Sequence, residues 1–260
     1  MNSSLRLGET FKLRVVRENP ATKSARTYQE FDVPYEAGMT VLGALLHAKE
    51  FLDHSIAIRY SCRMASCGSC GMMINGVPRL ACYTQVSELP ASTITVEPLD
   101  HYPLVRDLVT NFDGFFDKHR SVAPFLLRKD PAVQATSTSE FAQSSQELEE
   151  FLQFSYCIKC GLCNAACPTM ADDAAFIGPQ ALGQAYRYIA DSRDEGAVER
   201  LKAVDREHGI WRCHFAGSCS FVCPKGVDPA LAIQRLRRLT VFKSPVHRAQ
   251  SKLMPALVSK

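Results

Sequence analysis

The sequence predicts an α+β chain in two parts, a mixed α/β part followed by a mainly helical one. Strand-like alternation of apolar and polar residues is confined to the first hundred or so residues. From Glu147 onward only helical periodicity is found. The cysteines gather in three tight groups, one in the first part and two in the second. The expected boundary lies near residue 105, giving domains over 1–105 and 106–260.

In the first part, Phe11–Val16 and Tyr28–Val33 alternate as strands do. Thr40–Leu52 carries apolar residues at helical spacing, with Thr40 as N-cap. Gly71–Ile74 and Val77–Ala81 flank Asn75-Gly76, a type I′ hairpin signal. Thr93–Val96 reads as a closing strand. Tyr102–Phe116 reads as a helix. The polar, Ser/Thr-rich run Lys129–Gln146 reads as a linker or surface loop. Helices are expected over Glu147–Phe154, Pro179–Ala190, Gly196–Glu207 and Pro229–Phe242, the last with Asp228 as N-cap and Pro229 at the first helical position.

Composition narrows the function. The 260 residues are 46% hydrophobic, ordinary for a globular protein. A net charge of +3 gives no reason to expect a nucleic-acid partner. No apolar run approaches the roughly 20 residues needed to cross a bilayer. The start, Met1-Asn-Ser-Ser-Leu-Arg-Leu, has neither a secretory h-region nor transit-peptide character, so the chain is expected to stay where it is made.

Eleven cysteines form three sets: Cys62, Cys67, Cys70, Cys82; Cys157, Cys160, Cys163, Cys167; and Cys213, Cys219, Cys223. An odd number cannot close entirely into disulfides, and thiols at short spacing without an export signal point to metal. The first set has the C-x4-C-x2-C spacing of a plant-type [2Fe–2S] loop, with the fourth thiol expected from the far strand of the following hairpin. Ser61, Ala65, Ser66, Gly68, Ser69 and Gly71 are small enough to let backbone N–H groups approach sulfur. A four-cysteine zinc site is the competing reading, but such sites usually use two C-x2-C knuckles.

Cys157-x2-Cys160-x2-Cys163-x3-Cys167-Pro168 is the bacterial ferredoxin run, whose fourth thiolate ligates the other cluster of a pair. Its partner, Cys213-x5-Cys219-x3-Cys223-Pro224, has Ala216 where the template has a cysteine. With crossing ligation, Cys157, Cys160, Cys163 and Cys223 hold a [4Fe–4S] cluster. Cys167, Cys213 and Cys219 remain, which suits [3Fe–4S]; a [4Fe–4S] cluster with one non-cysteine ligand is the alternative. All eleven thiols are thereby used. No acid/base pair, nucleophile, phosphate loop or Gly-x-Gly-x-x-Gly fingerprint stands out, so no catalytic residue is expected in this chain. Three one-electron centres read as a wire between a two-electron donor and an acceptor held by partners.

The strings Ser61–Cys82, Cys157–Pro168, Phe176-Ile-Gly-Pro179, Asp191-Ser-Arg-Asp194 and Cys213–Pro229 resemble the iron–sulfur subunits of succinate:quinone oxidoreductase and fumarate reductase. The likeness runs from about Phe11 to about Phe242. It implies an N-terminal β-grasp plant-type [2Fe–2S] ferredoxin domain and a C-terminal all-α bacterial-type ferredoxin domain. It implies a route from the FAD of a flavoprotein subunit through [2Fe–2S], [4Fe–4S] and [3Fe–4S] to quinone at a membrane anchor subunit, serving succinate oxidation in the tricarboxylic acid cycle or fumarate reduction. It implies quinone near Pro168 and His214, with Gln234 and Arg237 as further positions. Many ubiquinone-using members carry a tryptophan shortly after the Cys-Pro; Thr169–Ala174 has none, which favours menaquinone. The implied location is the cytoplasmic face of a prokaryotic inner membrane.

Beyond these, Arg63 and Lys159 flank cluster ligands, as countercharge or as solvated loop charge. Met64, Met72 and Met73 are expected in core or cluster-shielding positions. The basic stretch Gln234–Arg238, with Lys243, Arg248 and Lys252, suits either anionic lipid or a solvated helix face. A free-standing electron carrier is the alternative of another class, though such carriers tend to be smaller and acidic. Another flavoprotein substrate is the alternative within the class.

Overall fold

The first strand, β1 (Thr10–Arg17), sets the frame of the N-terminal sheet. The structure, a computed structural model, describes residues 6–89, 93–130, 132, 135–138 and 140–243. These divide into two compact units, Met1–Gly114 with Ile158–Ala166 and Val222–Lys225, and Phe115–Cys157 with Cys167–Phe221 and Gly226–Lys260.

In the first unit β1 pairs with β2 (Thr27–Pro34) and, in parallel, with β5 (Thr93–Glu97). β3 (Gly71–Ile74) joins β5 to β4 (Val77–Leu80), giving the order β2-β1-β5-β3-β4. The hairpin turns at Asn75 and Gly76, with φ of 48° and 74°, as a type I′ turn requires. Alternation buries Phe11, Leu13, Val15, Val33, Ile94 and Val96 in one core with Val41, Leu42, Ala44 and Leu45 of helix α1 (Val41–His47). Thr40 caps α1, its Oγ1 accepting from the Gly43 amide at 3.1 Å. The expected helix over 40–52 continues only as one π-turn, Ala48–Leu52. The amides of Val41 and Leu42 donate to the carbonyls of Thr84 and Ala81, tying α1 to the turn that carries Cys82.

The expected helix over 102–116 is corrected. The chain forms a short hairpin, β6 (Leu104–Arg106) with β7 (Val109–Thr110), and only then helix α2 (Asp113–Arg120). A distant anchor overrides the local pattern: buried Asp107 turns at φ 49° and accepts from the amides of Glu18 and Ala57 at 3.1 and 2.9 Å.

The second unit is helical, with no strand among its described residues. The expected helix over 147–154 is two, α3 (Ser145–Glu149) and α4 (Leu152–Ser155), broken where Phe151 buries its ring. Ser144 and Glu147 form a capping box ahead of α3. The remaining helices are α5 (Leu162–Ala165), which belongs to the first unit, then α6 (Pro168–Asp172), α7 (Pro179–Ile189), α8 (Ala197–Val204), α9 (Ser218–Phe221) and α10 (Pro229–Lys243). α7 packs against α10, α4 and α8. Phe154, Phe176, Leu182, Ala185, Ile233 and Leu236 fill the core. Asp228 caps α10, accepting from the Leu231 amide at 2.9 Å.

Among the described residues no helix is long and apolar enough to cross a membrane. Arg248, Lys252 and the Lys243 side chain lie outside the described residues. Arg235 donates to the Tyr186 hydroxyl at 2.9 Å, while Arg238 is exposed.

Candidate iron–sulfur sites

The loop from Cys62 to Cys70 turns through left-handed residues at Arg63, Ala65 and Gly68, with φ of 58°, 55° and 75°. Each reversal swings amides toward the cysteine sulfurs. Met64, Ser66 and Cys67 donate to Cys62 Sγ at 3.4, 3.3 and 3.2 Å. Ala65 donates to Cys82 Sγ at 3.3 Å, Cys82 to Cys70 Sγ at 3.5 Å and Cys62 to Cys67 Sγ at 3.5 Å. All four sulfurs therefore accept at least one backbone N–H, an arrangement suited to anionic sulfur.

The thiols themselves differ. The Ser69 hydroxyl and the Cys62 amide lower Cys67 to about 6. Burial pushes Cys70 up to about 12. A buried thiol of that kind gives up its proton to a metal rather than to water. Cys67 is exposed, as are Arg63 and Lys159; Arg63 lies over the Tyr60 ring at 5.4 Å. Met72 and Met73 are buried, but Met64 is 74% exposed, which corrects its expected shielding place. Met64 lies between two left-handed residues, Arg63 and Ala65, at the outside of the loop's reversal.

Gly68 is where the first loop meets the second cysteine run. A Cβ there would lie 2.8 Å from Cys160 Cβ and 2.9 Å from its Cα. Gly161 is held similarly. Its carbonyl accepts from the Tyr102 hydroxyl at 3.0 Å, and its missing Cβ leaves room for the Tyr102 and Phe112 rings, stacked at 4.5 Å. Burial, with Cys163 and Cys160 nearby, raises the Tyr102 phenol far above its usual range.

The runs beginning at Cys157 and Cys213 have the same local backbone. Two residues after the first cysteine, Lys159 and Phe215 have φ of 56° and 58°; four after it, Gly161 and Gly217 have 80° and 75°. One-turn helices α5 and α9 follow at the same offset. Ala216 therefore stands in a loop folded like the one that presents Cys160. Both arms turn at Cys-Pro, Pro168 opening α6 with Cys167 at its N-cap.

In the second unit Cys167, Cys213 and Cys219 share a cleft with Pro168, His214, Ala216 and Ile233. The Phe215 amide donates to Cys213 Sγ at 3.4 Å. Burial raises Cys219 to about 11, with Cys167 and Cys213 adding to the rise, and burial raises Cys167 as well. Three thiols lining one cleft, two of them buried, suit an iron–sulfur cluster better than solvent. Pro168 and His214 are exposed at this cleft. Gln234 is half-buried on α10, its Nε2 without a hydrogen-bond partner among the described residues. Arg237 donates to the carbonyls of Ile210 at 3.0 Å and Cys213 at 2.6 Å and so fastens the arm ahead of the cleft.

Several contacts around the thiols carry little or no sequence signal. Asp173 binds His208 Nδ1 at 2.7 Å and Arg212 Nε at 3.2 Å, joining the arm after Cys167 to the arm before Cys213. Gln180, with Nε2 3.9 Å from Cys157 Sγ, carried only the faint signal of a polar residue inside the apolar string Phe176–Leu182.

Comparison with known proteins agrees with this layout. A 2Fe-2S iron-sulfur cluster binding domain matches residues 12–117, and a 4Fe-4S dicluster domain matches residues 153–227. The fumarate reductase iron-sulfur subunit of Mycobacterium tuberculosis is 44% identical over 226 residues, 86% of this chain and 90% of that protein. The succinate dehydrogenase iron-sulfur subunit of Paracoccus denitrificans is 34% identical over 252 residues, 92% of this chain and 95% of that protein. The solved Mycobacterium smegmatis Sdh1 complex in the apo form contains a chain that superposes with a TM-score of 0.82 at 26% identity, covering 91% of this chain and 98% of that one. With a [2Fe–2S] domain, a dicluster domain and relatives of this closeness along nearly its whole length, the chain belongs to the electron-transferring iron–sulfur subunits of the fumarate reductase and succinate dehydrogenase family.

Proposed function

We propose that the chain holds three clusters and relays single electrons between a flavoprotein's dicarboxylate site, with its FAD, and membrane quinone. In this reading Cys62, Cys67, Cys70 and Cys82 hold [2Fe–2S]. Cys157, Cys160, Cys163 and Cys223 hold [4Fe–4S], and Cys167, Cys213 and Cys219 hold [3Fe–4S]. When bound, each cluster supplies one-electron redox chemistry. The residues of this chain anchor iron through thiolate, stabilise anionic sulfur with backbone N–H groups and keep water from the buried thiols.

The observation that carries the three-cluster reading is Ala216. It sits in a loop folded like that of Cys160 but brings a methyl group where a thiol would be needed. A methyl group cannot ligate a fourth iron.

The partners follow from the family: a flavoprotein subunit on one side and a membrane anchor subunit on the other. Pro168 and His214 are the positions for quinone, with Gln234 and Arg237 as further positions on α10, Arg237 holding the arm. The lack of tryptophan over 169–174 favours menaquinone. The chain works at the cytoplasmic face of a prokaryotic inner membrane.

Low-temperature EPR of the purified complex tests the assignment. The oxidised sample gives the paramagnetic signal of [3Fe–4S], and reduction adds two further signals. In Ala216→Cys the oxidised signal disappears and a second cubane signal appears on reduction. An unsubstituted complex that is EPR-silent when oxidised, with two cubanes when reduced, overturns it.

A further inference from the structure

Gln180 is the second residue of α7 and is 3% exposed. Its Nε2 lies 3.9 Å from Cys157 Sγ and 3.2 Å from Nδ1 of His119 on α2. His119 is itself buried at 7% exposure. A carboxamide nitrogen has two hydrogens and no acceptor capacity, so both contacts are donations. One N–H goes to Nδ1 of the histidine. Cys157 Sγ also accepts from this nitrogen, at the longer distance usual for sulfur.

Burying a carboxamide carries a desolvation cost. An isosteric apolar side chain would fill the same core space without burying an amide. Beside a thiolate, the amide has a use. Reduction adds negative charge to a cluster and its sulfurs, and a donor stabilises the reduced form more than the oxidised one. Burial makes the effect larger than it would be in water.

We propose that Gln180, oriented by His119, raises the reduction potential of the [4Fe–4S] cluster by donating a hydrogen bond to the Cys157 thiolate. The proposal rests on the assignment of Cys157 to that cluster and adds to it a side chain that sets the potential.

EPR-monitored redox titration of the intact membrane complex is the test. In Gln180→Leu the reduced-to-oxidised ratio of [4Fe–4S] at fixed potential falls about threefold, a midpoint roughly 28 mV lower for a one-electron couple. Gln180→Glu, similar in shape but without the donor, falls at least as far. His119→Leu shifts the midpoint in the same direction by less. The [2Fe–2S] and [3Fe–4S] midpoints stay unmoved in all three. An unchanged [4Fe–4S] midpoint in both Gln180 variants overturns the proposal. The ligand assignment fails separately, if Cys157→Ser leaves the [4Fe–4S] spectrum unaltered. Should the variants not assemble, the unsubstituted complex with 15N in its glutamine side chains decides. Pulsed EPR of reduced [4Fe–4S] then shows a 15N coupling, and its absence overturns the proposal.

Discussion

Gly68 combines the two constraints that act on single residues here. Its φ of 75° is left-handed, and a Cβ would strike the Cys160 backbone at 2.9 Å. Gly68→Ala is expected to cost about 1–2 kcal/mol in backbone strain and a further 1–3 kcal/mol in overpacking. Denaturant unfolding of the cluster-loaded chain measures the loss. Gly76→Ala, also left-handed but facing open space, should cost only the strain. At this scale the thiols were legible because ferredoxin spacing is local and rigid, and Ala216 was legible as a gap in that spacing. Gln180 was not, because its partners, His119 and Cys157, come from α2 and from the arm before α5. Arg237's bonds to carbonyls 24 and 27 residues away were equally hidden from local pattern.

Among elements, the corner around α8 shows what the Asp191-Ser-Arg-Asp194 string does. Arg200, 1% exposed, pairs with Asp194 and donates to the carbonyls of Ala123 at 2.9 Å and Phe125 at 2.6 Å. The Leu127 amide donates to Asp194 as well, at 2.8 Å, so one buried charge pair fastens the 122–127 arm to the start of α8. Gly196 has no Cβ because Leu127 and the guanidinium fill that space. Lysine cannot reproduce the fork of donors. Arg200→Lys should destabilise the chain by roughly 3 kcal/mol, read from its unfolding midpoint. Asp191 is held by Arg193 through two bonds of 2.8 Å. Burial pushes its carboxyl up, but the Arg193 bonds outweigh that and leave it below its usual range. A depressed carboxyl contributes stability above its unfolded value, near 3.9, and loses it as pH falls through the folded value. The deficit of Asp191→Asn should therefore stay constant between about pH 5 and pH 8 and shrink only below about pH 4. The string was readable as a family mark, whereas the charge pair was not, since Arg200 and the 122–127 arm lie outside it. The hairpin at 104–110 was misread for a related reason. Its residues have helical spacing, but Asp107 is claimed by the amides of Glu18 and Ala57.

Across the molecule, the cysteine sets rest on supports of different strength. Cys62, Cys67, Cys70 and Cys82 border a five-stranded sheet whose strands are hydrogen-bonded to one another over an apolar core. The arms around the other thiols run through single turns of helix, Leu162–Ala165, Pro168–Asp172 and Ser218–Phe221. Helices that short are not stable by propensity, because nucleation costs more than one or two bonds return. On the ligand assignment proposed above, iron–thiolate bonds add to what packing supplies, since ligand binding to the folded state adds directly to its stability. Amide hydrogen exchange before and after iron is removed by a chelator and reductant should show this. Residues 157–170 and 213–223 should lose protection by a hundredfold or more, about 2.7 kcal/mol of local stability. The β1, β3 and β5 amides should change by less than tenfold. Equal loss across the sheet would mean that iron organises the whole chain, and the sheet would then not be the independent platform that its ladders and apolar core imply.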